Sequence, residues 1–411
     1  MRKLHLPLGL AALLLSPLVA PAQPATTALS QITRLTLERA QDLAATRSFE
    51  LAAAQRELDA SDGGVQQAGA PRSPELTATV EDTRSATRTT TATLGFPLEL
   101  GGKRAARVSA AERSRDLARA QLAEARAKVR AGVISAYFST VVAQERVKLA
   151  SDSAELAARA ADIVDKRVTA GKTSPVDAMR ARVDAANARL EFADARAELN
   201  SARQALAATW GATAPDFDAV DGDAGSVPAR ALAAELLQQV ETAPSLVSSR
   251  IEIDRRQAIV AIERSKGVPD LVVSAGVKRD NELGRTQAVI GISIPLPLFD
   301  RNQGAVHEAS KRAEKAQDEY AATHVRLVAE VNQAATQLAT AQASLRTIRE
   351  TVLPAARQAY AASTTGFEAG KFGFLDVIDS QRSLLQARAR YLTTLSSAWQ
   401  AATAIDRLLG R

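Results

Sequence analysis

Two aspartates near the C-terminal end of the chain, Asp376 and Asp379, are the strongest candidates for functional charges. Their spacing of three residues places both carboxylates on one face of a predicted helix. The alternative is structural, because acids in the first turn of a helix interact favourably with its dipole by ~0.3–1 kcal/mol. Asp177, which occupies the same place in an earlier helix, is expected to have only that structural role. The residues alone leave both alternatives open for the later pair.

The sequence offers no other constellation with evident chemistry. It contains no cysteine, which excludes disulfides, thiolate metal sites and cysteine nucleophiles. His307 and His324 lie on one predicted helix without a third ligand, whereas a metal site needs a convergent set. Met179 is the one methionine beyond the N-terminal leader, so a thioether relay for soft metals is not expected. Phosphate-binding loops, nucleophile elbows and paired catalytic carboxylates are not found. We therefore expect no catalytic residues, no cofactor and no metal site.

The basic character of the chain does not indicate nucleic-acid binding. The net charge is +6, from 52 lysines and arginines against 46 acids. The basic residues alternate with acids along predicted helices instead of forming a cluster, which is typical of solvated helix faces.

The first 22 residues have the pattern of a cleavable secretory signal. Arg2 and Lys3 precede an apolar run from Leu4 to Val19, and a small-residue cleavage site follows at 20–22. No later run reaches the ~18 apolar residues of a membrane-spanning helix. The mature protein is therefore expected to be exported without a lipidated N-terminal cysteine, and to enter a membrane only as β-strands.

The chain contains an internal duplication. Pro97 matches Pro295, and Gly171 with Lys172 matches Gly370 with Lys371, at spacings of about 198 residues that hold almost without gaps. Each copy begins with strands in which apolar and polar residues alternate, and these strands end at a proline or a Gly-rich stretch. Very long Ala-rich helices with heptad seams follow. The predicted division is a signal peptide at 1–22, a first repeat at 23–212, a linker at 213–228 and a second repeat at 229–411. The first repeat contains a strand hairpin at 74–98 and a helical hairpin at 103–210. The second repeat contains a strand hairpin at 269–298 and a helical hairpin at 303–409.

These elements predict a mixed fold of α-helices and transmembrane β-strands. Strands of about ten residues suit a tilted membrane span. Four strands cannot close a barrel, and an open sheet edge is not tolerated in lipid. The strands must therefore close with those of other chains. The helical hairpins would be ~100 Å long. Such hairpins can pack side by side to form the wall of a helical barrel.

The mature chain resembles the TolC-type family of outer-membrane factors over essentially its whole length. The resemblance is carried by the duplicated unit and by four motifs: LTLERAQDLA at 35–44, FPLELGGKR at 96–104, IPLPLFDRNQG at 294–304 and EAGKFGFLDVIDSQRSLLQAR at 368–388. The second and third motifs look most like the branch that serves heavy-metal cation pumps.

The resemblance implies an assembly and its partners. It implies a homotrimer with a 12-stranded outer-membrane barrel surrounded by lipid and continued by a periplasmic α-helical barrel. It also implies docking to a periplasmic adaptor (membrane fusion) protein and to an inner-membrane efflux transporter, most often of the RND type. The protein would then be a passive exit duct located in the outer membrane, with metal cations among its candidate substrates.

The resemblance also gives roles to single residues. It places Asp376 and Asp379 at the periplasmic entrance gate, where stacked rings of acids favour cations. It places Gly171, Lys172, Gly370 and Lys371 in tip turns that dock the adaptor. The alternative for the four turn residues is ordinary helix-stop chemistry, with Gly ending a helix and Lys favourable at its C-terminus.

A second class of protein remains open at this point. A periplasmic coiled-coil scaffold or adaptor that never enters the membrane would also have long helical hairpins. Such adaptors usually carry one hairpin flanked by β-domains, whereas this chain has two hairpins, each preceded by alternating strands. The sequence identifies neither the substrate nor the partner transporter.

Overall fold

The computed structural model describes residues 32–411, so the predicted signal peptide lies outside the described residues. The chain alternates short strands with long helices. The elements are β1 (Ile32–Leu35), α1 (Leu37–Arg47), α2 (Phe49–Gly69), β2 (Glu75–Glu81), β3 (Thr89–Leu98), α3 (Lys103–Thr169), α4 (Pro175–Ala208), β4 (Phe217–Val220), α5 (Ala233–Gln238), α6 (Pro244–Lys266), β5 (Leu271–Asp280), β6 (Arg285–Ser293), α7 (Gln303–Thr347), α8 (Leu353–Glu368) and α9 (Phe374–Leu409).

The two strand hairpins form one antiparallel sheet in the order β2-β3-β5-β6. The register aligns Phe96 with Val273 and Val273 with Ile292 across three strands. This face of the sheet is apolar and exposed in the single chain, while the opposite face carries residues such as Thr91 and Thr93. Strands β2 and β6 are the free edges. The alternation that predicted a sheet with one apolar and one polar face is confirmed.

One position in the sheet requires glycine because two strands approach closely. A Cβ atom added at Gly276 would lie 2.0 Å from the carbonyl oxygen of Ala92. No side chain fits at that distance, so any substitution would push β5 away from β3.

The helices form long pairs held by small side chains. Helix α3 has 67 residues and would extend ~100 Å at 1.5 Å per residue. It packs along α4 through a line of buried alanines, and α7 packs against α9 through the two heptad lines expected from the sequence. The buried residues of these seams are Ala178, Ala181, Ala185 and Ala188 on α4, and Val331, Ala334, Leu338, Ala341, Leu345 and Ile348 on and just after α7.

The sequence pattern predicts a helix from Ile32 to Gln67 and an irregular connection at 213–227, and the start of the first and the irregularity of the second are wrong. The helix expected from Ile32 begins at Leu37, because β1 pairs in parallel with β4 inside a segment expected to be irregular. Gly63 and Gly64, expected to end or loosen the helix, do not interrupt α2, which continues to Gly69 although each glycine costs about 1 kcal/mol relative to alanine. Packing along α3 compensates for this weakness.

The sequence places Pro354 inside the long helical pattern of the second repeat, where it is expected to kink the helix, and the structure has a π-helical turn just before it. Residues Ile348–Val352 form this wide turn, and Pro354 follows in the first turn of α8. The wider turn accommodates a residue that has no backbone N–H and whose ring would clash with the preceding turn.

In the part of the chain from residue 32 onward, the structure contains no helix that is both long enough and apolar enough to cross a membrane.

Buried side chains tie the sheet pair β1–β4 to the helices and the two halves to each other. The Tyr137 hydroxyl donates to the carbonyl oxygens of Leu35, at 3.1 Å, and Asp221. Trp399 stacks on Phe138 with ring centroids 3.3 Å apart. Trp210 is buried and Trp399 is partly buried, and both tryptophans pack against other side chains in the structure.

Replacing Tyr137 with phenylalanine is expected to destabilise the protein by about 1–3 kcal/mol, since the Asp221 carbonyl loses the hydroxyl donor and the Leu35 carbonyl keeps only the Asp221 N–H. Burial raises the pKa of the Tyr137 hydroxyl from 10.0 to about 12. The contribution of this hydroxyl to the free energy of unfolding is therefore complete below pH 10. It declines as the pH rises towards 12, because in that range the Tyr137 hydroxyl ionises only in the unfolded chain. Thermal unfolding of the wild type and Tyr137→Phe is followed by circular dichroism below pH 10 and again near pH 12. The first comparison measures the loss of stability, and the second measures how that loss depends on pH.

The control for this prediction is Tyr391→Phe, which removes one hydrogen bond, to Ala224, from a partly exposed tyrosine. It should cost less stability than Tyr137→Phe. Equal losses in the two variants would show that the buried link from α3 to β1 and β4 has no special weight.

Candidate functional site

The turns α3–α4 and α8–α9 are built alike. Gly171 and Gly370 adopt the left-handed conformation, with φ of 67° and 72°. In each turn the following lysine donates its backbone N–H to a carbonyl five residues earlier, Lys172 to Arg167 at 2.9 Å and Lys371 to Gly366 at 2.8 Å. This is the Schellman arrangement that ends a helix. The helix-stop chemistry expected for these four residues is therefore present, and both lysine side chains remain exposed.

The second turn has an aromatic element that the first turn does not have. Phe372 lies against Gly366, where a Cβ atom would come within 2.1 Å of the ring. The Arg167 guanidinium lies 4.1 Å from the centre of the Phe367 ring. Because Arg167 belongs to α3 and Phe367 to α8, this cation–π contact joins the far ends of the two long hairpins. The structure thus brings the two turns to the same end of the molecule.

The two aspartates of α9 have different surroundings. A carboxylate oxygen of Asp376 accepts a hydrogen bond from the Gly373 N–H at 2.8 Å, which caps the start of α9. Asp379 is exposed one turn further along, in a groove between α4 and α9 that Arg382 also lines. Arg382 binds Asp184 of α4 at 3.1 Å. Asp376 therefore has the structural role considered above, whereas Asp379 takes no part in that cap.

Asp177 lies in the first turn of α4, with its carboxylate 4.0 Å from Arg180. The N-cap of that helix is Ser174, whose hydroxyl accepts from the Val176 N–H at 3.2 Å. The predicted start of α4, with Ser174 before Pro175, is confirmed.

The two histidines do not converge. His324 lies 3.2 Å from Glu241, and His307 is exposed elsewhere on α7. Within residues 32–411 no group of three or more histidine, aspartate or glutamate side chains is arranged to hold a metal ion.

A set of ion pairs that sequence reasoning missed fixes the sheet to the helices. Glu99, which is 9% exposed, binds Arg107 and Arg72, and hydrogen bonding from Arg107 holds the pKa of Glu99 below its usual range. Lys103 binds Asp270 at 2.6 Å across the two halves of the chain. Charged residues next to strand ends were the available signal, but the pairing of Lys103 with Asp270, 167 residues further along the chain, could not be assigned from it.

The combination of a four-stranded sheet with two long helical hairpins is the fold of outer-membrane channel proteins. The structure of VceC from Vibrio cholerae superimposes with a TM-score of 0.75 over 91% of this chain and 96% of that one, at 22% identity. The chain belongs to the outer membrane efflux protein family, whose model matches residues 40–212 and 236–411. The predicted family resemblance and fold are confirmed.

Two relatives show how similar the sequence is to particular members. The cobalt-zinc-cadmium resistance protein CzcC of Cupriavidus metallidurans is 54% identical and aligns over the full length of both chains. The nickel and cobalt resistance protein CnrC of the same organism is 34% identical over 56% of this chain and 54% of its own length.

The family defines the general role of the protein. It is an efflux protein of the outer membrane with a large periplasmic portion, and its family is one of channels rather than enzymes. Proteins of this family work with adaptor and inner-membrane transporter proteins and form trimers. The predicted exit-duct function is confirmed, and the alternative of a periplasmic scaffold is not supported.

Proposed function

We propose that this protein is the exit duct of a tripartite pump that expels divalent metal cations, together with a periplasmic adaptor and an inner-membrane transporter of the RND type. The observation that carries the substrate class is the 54% identity over the full length to a cobalt-zinc-cadmium resistance protein. With no metal-binding cluster among residues 32–411, metal selection would rest with the transporter, and the duct would act passively.

Growth on cobalt, zinc and cadmium tests this proposal. A host that carries the partner transporter and adaptor but lacks its own duct should regain resistance when this chain is supplied. Drug resistance regained without metal resistance would contradict the substrate class.

Three chains together would close the sheet. Strands β2 and β6 have unpaired edges, which would pair with those of neighbouring chains to give a closed sheet of twelve strands with the apolar face outward in lipid. The mass of the detergent-extracted protein, measured by light scattering with the detergent mass subtracted, is expected to be that of three chains. A monomer stable in buffer without detergent would contradict both the closed sheet and the duct.

The remaining assignments follow from this arrangement. Asp376 and Asp379 would form the cation-favouring rings of the periplasmic entrance, and Gly171, Lys172, Gly370 and Lys371 would form the surface that the adaptor contacts. The division into two repeats, 23–212 and 229–411, describes one structural unit used twice within each chain.

A further inference from the structure

The segment that follows β6 exposes an unusual amount of apolar side chain. Phe299 is 92% exposed, Leu296 75% and Leu298 69%. These residues lie where the sheet ends and α7 has not yet begun. In water such a concentration of exposed apolar surface marks a contact with another molecule or with a membrane.

The segment is held in place rather than collapsed onto the protein. Asn302, in the left-handed conformation with φ of 62°, donates its side-chain amide to the backbone carbonyl of Glu263 at 2.8 Å and to its carboxylate at 2.9 Å. The Leu298 N–H donates to the Leu296 carbonyl at 2.8 Å. Two prolines, at 295 and 297, restrict the backbone further. The apolar side chains are thus presented outward by a fixed backbone.

The segment follows directly on a strand that contributes to the apolar face of the sheet. Ile290 and Ile292 belong to the face that the proposed function places in lipid, and both are exposed in the single chain. Ile294, Leu296 and Leu298 keep the same spacing of every second residue beyond the end of β6. At the same end of the sheet, Leu98, the last residue of β3, and Leu100 add exposed apolar surface.

We propose that residues 294–299 are an interfacial anchor that inserts into the phospholipid at the periplasmic border of the outer membrane. This inference rests on the proposed function, because it requires the sheet to span the membrane. Strands β2, β3, β5 and β6 contain neither tryptophan nor tyrosine. Membrane strands usually have aromatic side chains at both water interfaces. Phe96, near the end of β3, and Phe299 both supply aromatic rings at this border.

A lipid surface fits the segment better than a second copy of the chain. Pro295 and Pro297 have no N–H group and the Leu298 N–H already donates to the Leu296 carbonyl, so this stretch does not offer a neighbouring strand a continuous row of donors. Arg301 and Arg104 are exposed at the same end of the sheet and suit phospholipid phosphates. The one acid within the loop, Asp300, accepts a hydrogen bond from the Asn302 N–H at 2.8 Å.

Site-directed spin labelling tests the anchor, and the absence of native cysteines makes every introduced cysteine a unique label. Phe299→Cys, Ile290→Cys on the sheet and Val325→Cys on α7 would each be labelled with a nitroxide. The full-length protein would be reconstituted into vesicles of phosphatidylethanolamine and phosphatidylglycerol. Collision rates with oxygen, which concentrates in lipid, and with a water-soluble nickel chelate report the surroundings of each label.

We expect the ratio of oxygen to nickel accessibility at positions 299 and 290 to exceed that at Val325, which is 68% exposed on a helix, by several-fold. A lipid-exposed label at position 290 together with a water-exposed label at position 299 would overturn the anchor and leave the proposed function intact. A label at 299 that is shielded from both reagents would mean that a neighbouring chain covers the segment. A label at 290 that oxygen does not reach preferentially would overturn the membrane-spanning sheet and the anchor with it.

Discussion

Neutralising Asp376 and Asp379 together is expected to raise the single-channel current of the reconstituted protein and to remove its block by multivalent cations. The proposed rings of acids hold a multivalent cation at the entrance, and a bound cation obstructs the flow of smaller ions. Two unit charges about 4 Å apart interact by ~1 kcal/mol in water and ~4 kcal/mol at an effective dielectric constant near 20. Since 1.4 kcal/mol is tenfold in affinity, we expect the blocking concentration to rise by about tenfold or more.

The substitution must remove charge without removing the helix cap. Asp376 accepts the Gly373 N–H, so Asp376→Ala would also weaken the start of α9. Asparagine keeps an acceptor at this position, which makes Asp376→Asn with Asp379→Asn the sharper variant. Planar-bilayer recordings with and without a trivalent cation measure both the current and the block.

The matched control is Asp177→Asn, which removes one acid from the corresponding turn of the first repeat. It should leave current and block close to wild type, because that carboxylate lies beside Arg180 and is expected to act only on its own helix start. If the double variant behaves like this control, the two acids serve α9 alone and the proposed gate is wrong.

Replacing Gly370 with leucine is expected to abolish efflux while trimers in the outer membrane persist. A Cβ atom at Gly370 would meet no atom within 4 Å, so the turn has room for a side chain. The left-handed backbone conformation destabilises the folded protein by about 1–2 kcal/mol when an L-residue adopts it. A bulky side chain at this turn would, however, occupy the surface that the adaptor is proposed to contact. Metal resistance of cells and trimer content of their outer membranes measure the two effects.

Two variants separate the surface from the backbone. Gly370→Asn tolerates the left-handed conformation and adds little bulk, so it should retain most efflux. Gly284→Leu places the same side chain at a glycine with φ of 64° and equally open space. This glycine lies in the β5–β6 turn of the sheet, away from the helical turns. Efflux that survives Gly370→Leu, or is lost equally in Gly284→Leu, would contradict adaptor docking at the tip.

The difference between the two aspartates shows how far a motif can be interpreted from sequence. Their spacing placed both on one helix face, and the sequence left the gate and the helix cap as alternatives for the pair. The structure gives the cap to Asp376 through a single hydrogen bond and leaves Asp379 exposed beside Arg382. Only the tertiary structure distinguishes an acid that faces its own helix start from one that faces a groove.

The sequence by itself determined the repeating unit, the alternating strands, the heptad seams and the glycine turns at 171 and 370. These features are set by interactions within a few residues, because alternation, helical periodicity and left-handed glycines each act locally. Tertiary structure alone decided that Ile32–Leu35 pairs with Phe217–Val220, that Lys103 binds Asp270, and that Arg167 meets Phe367 where the two hairpins end. Those partners lie more than 150 residues apart in the sequence, so which residues meet depends on how the long helices return along one another, and no local pattern records it.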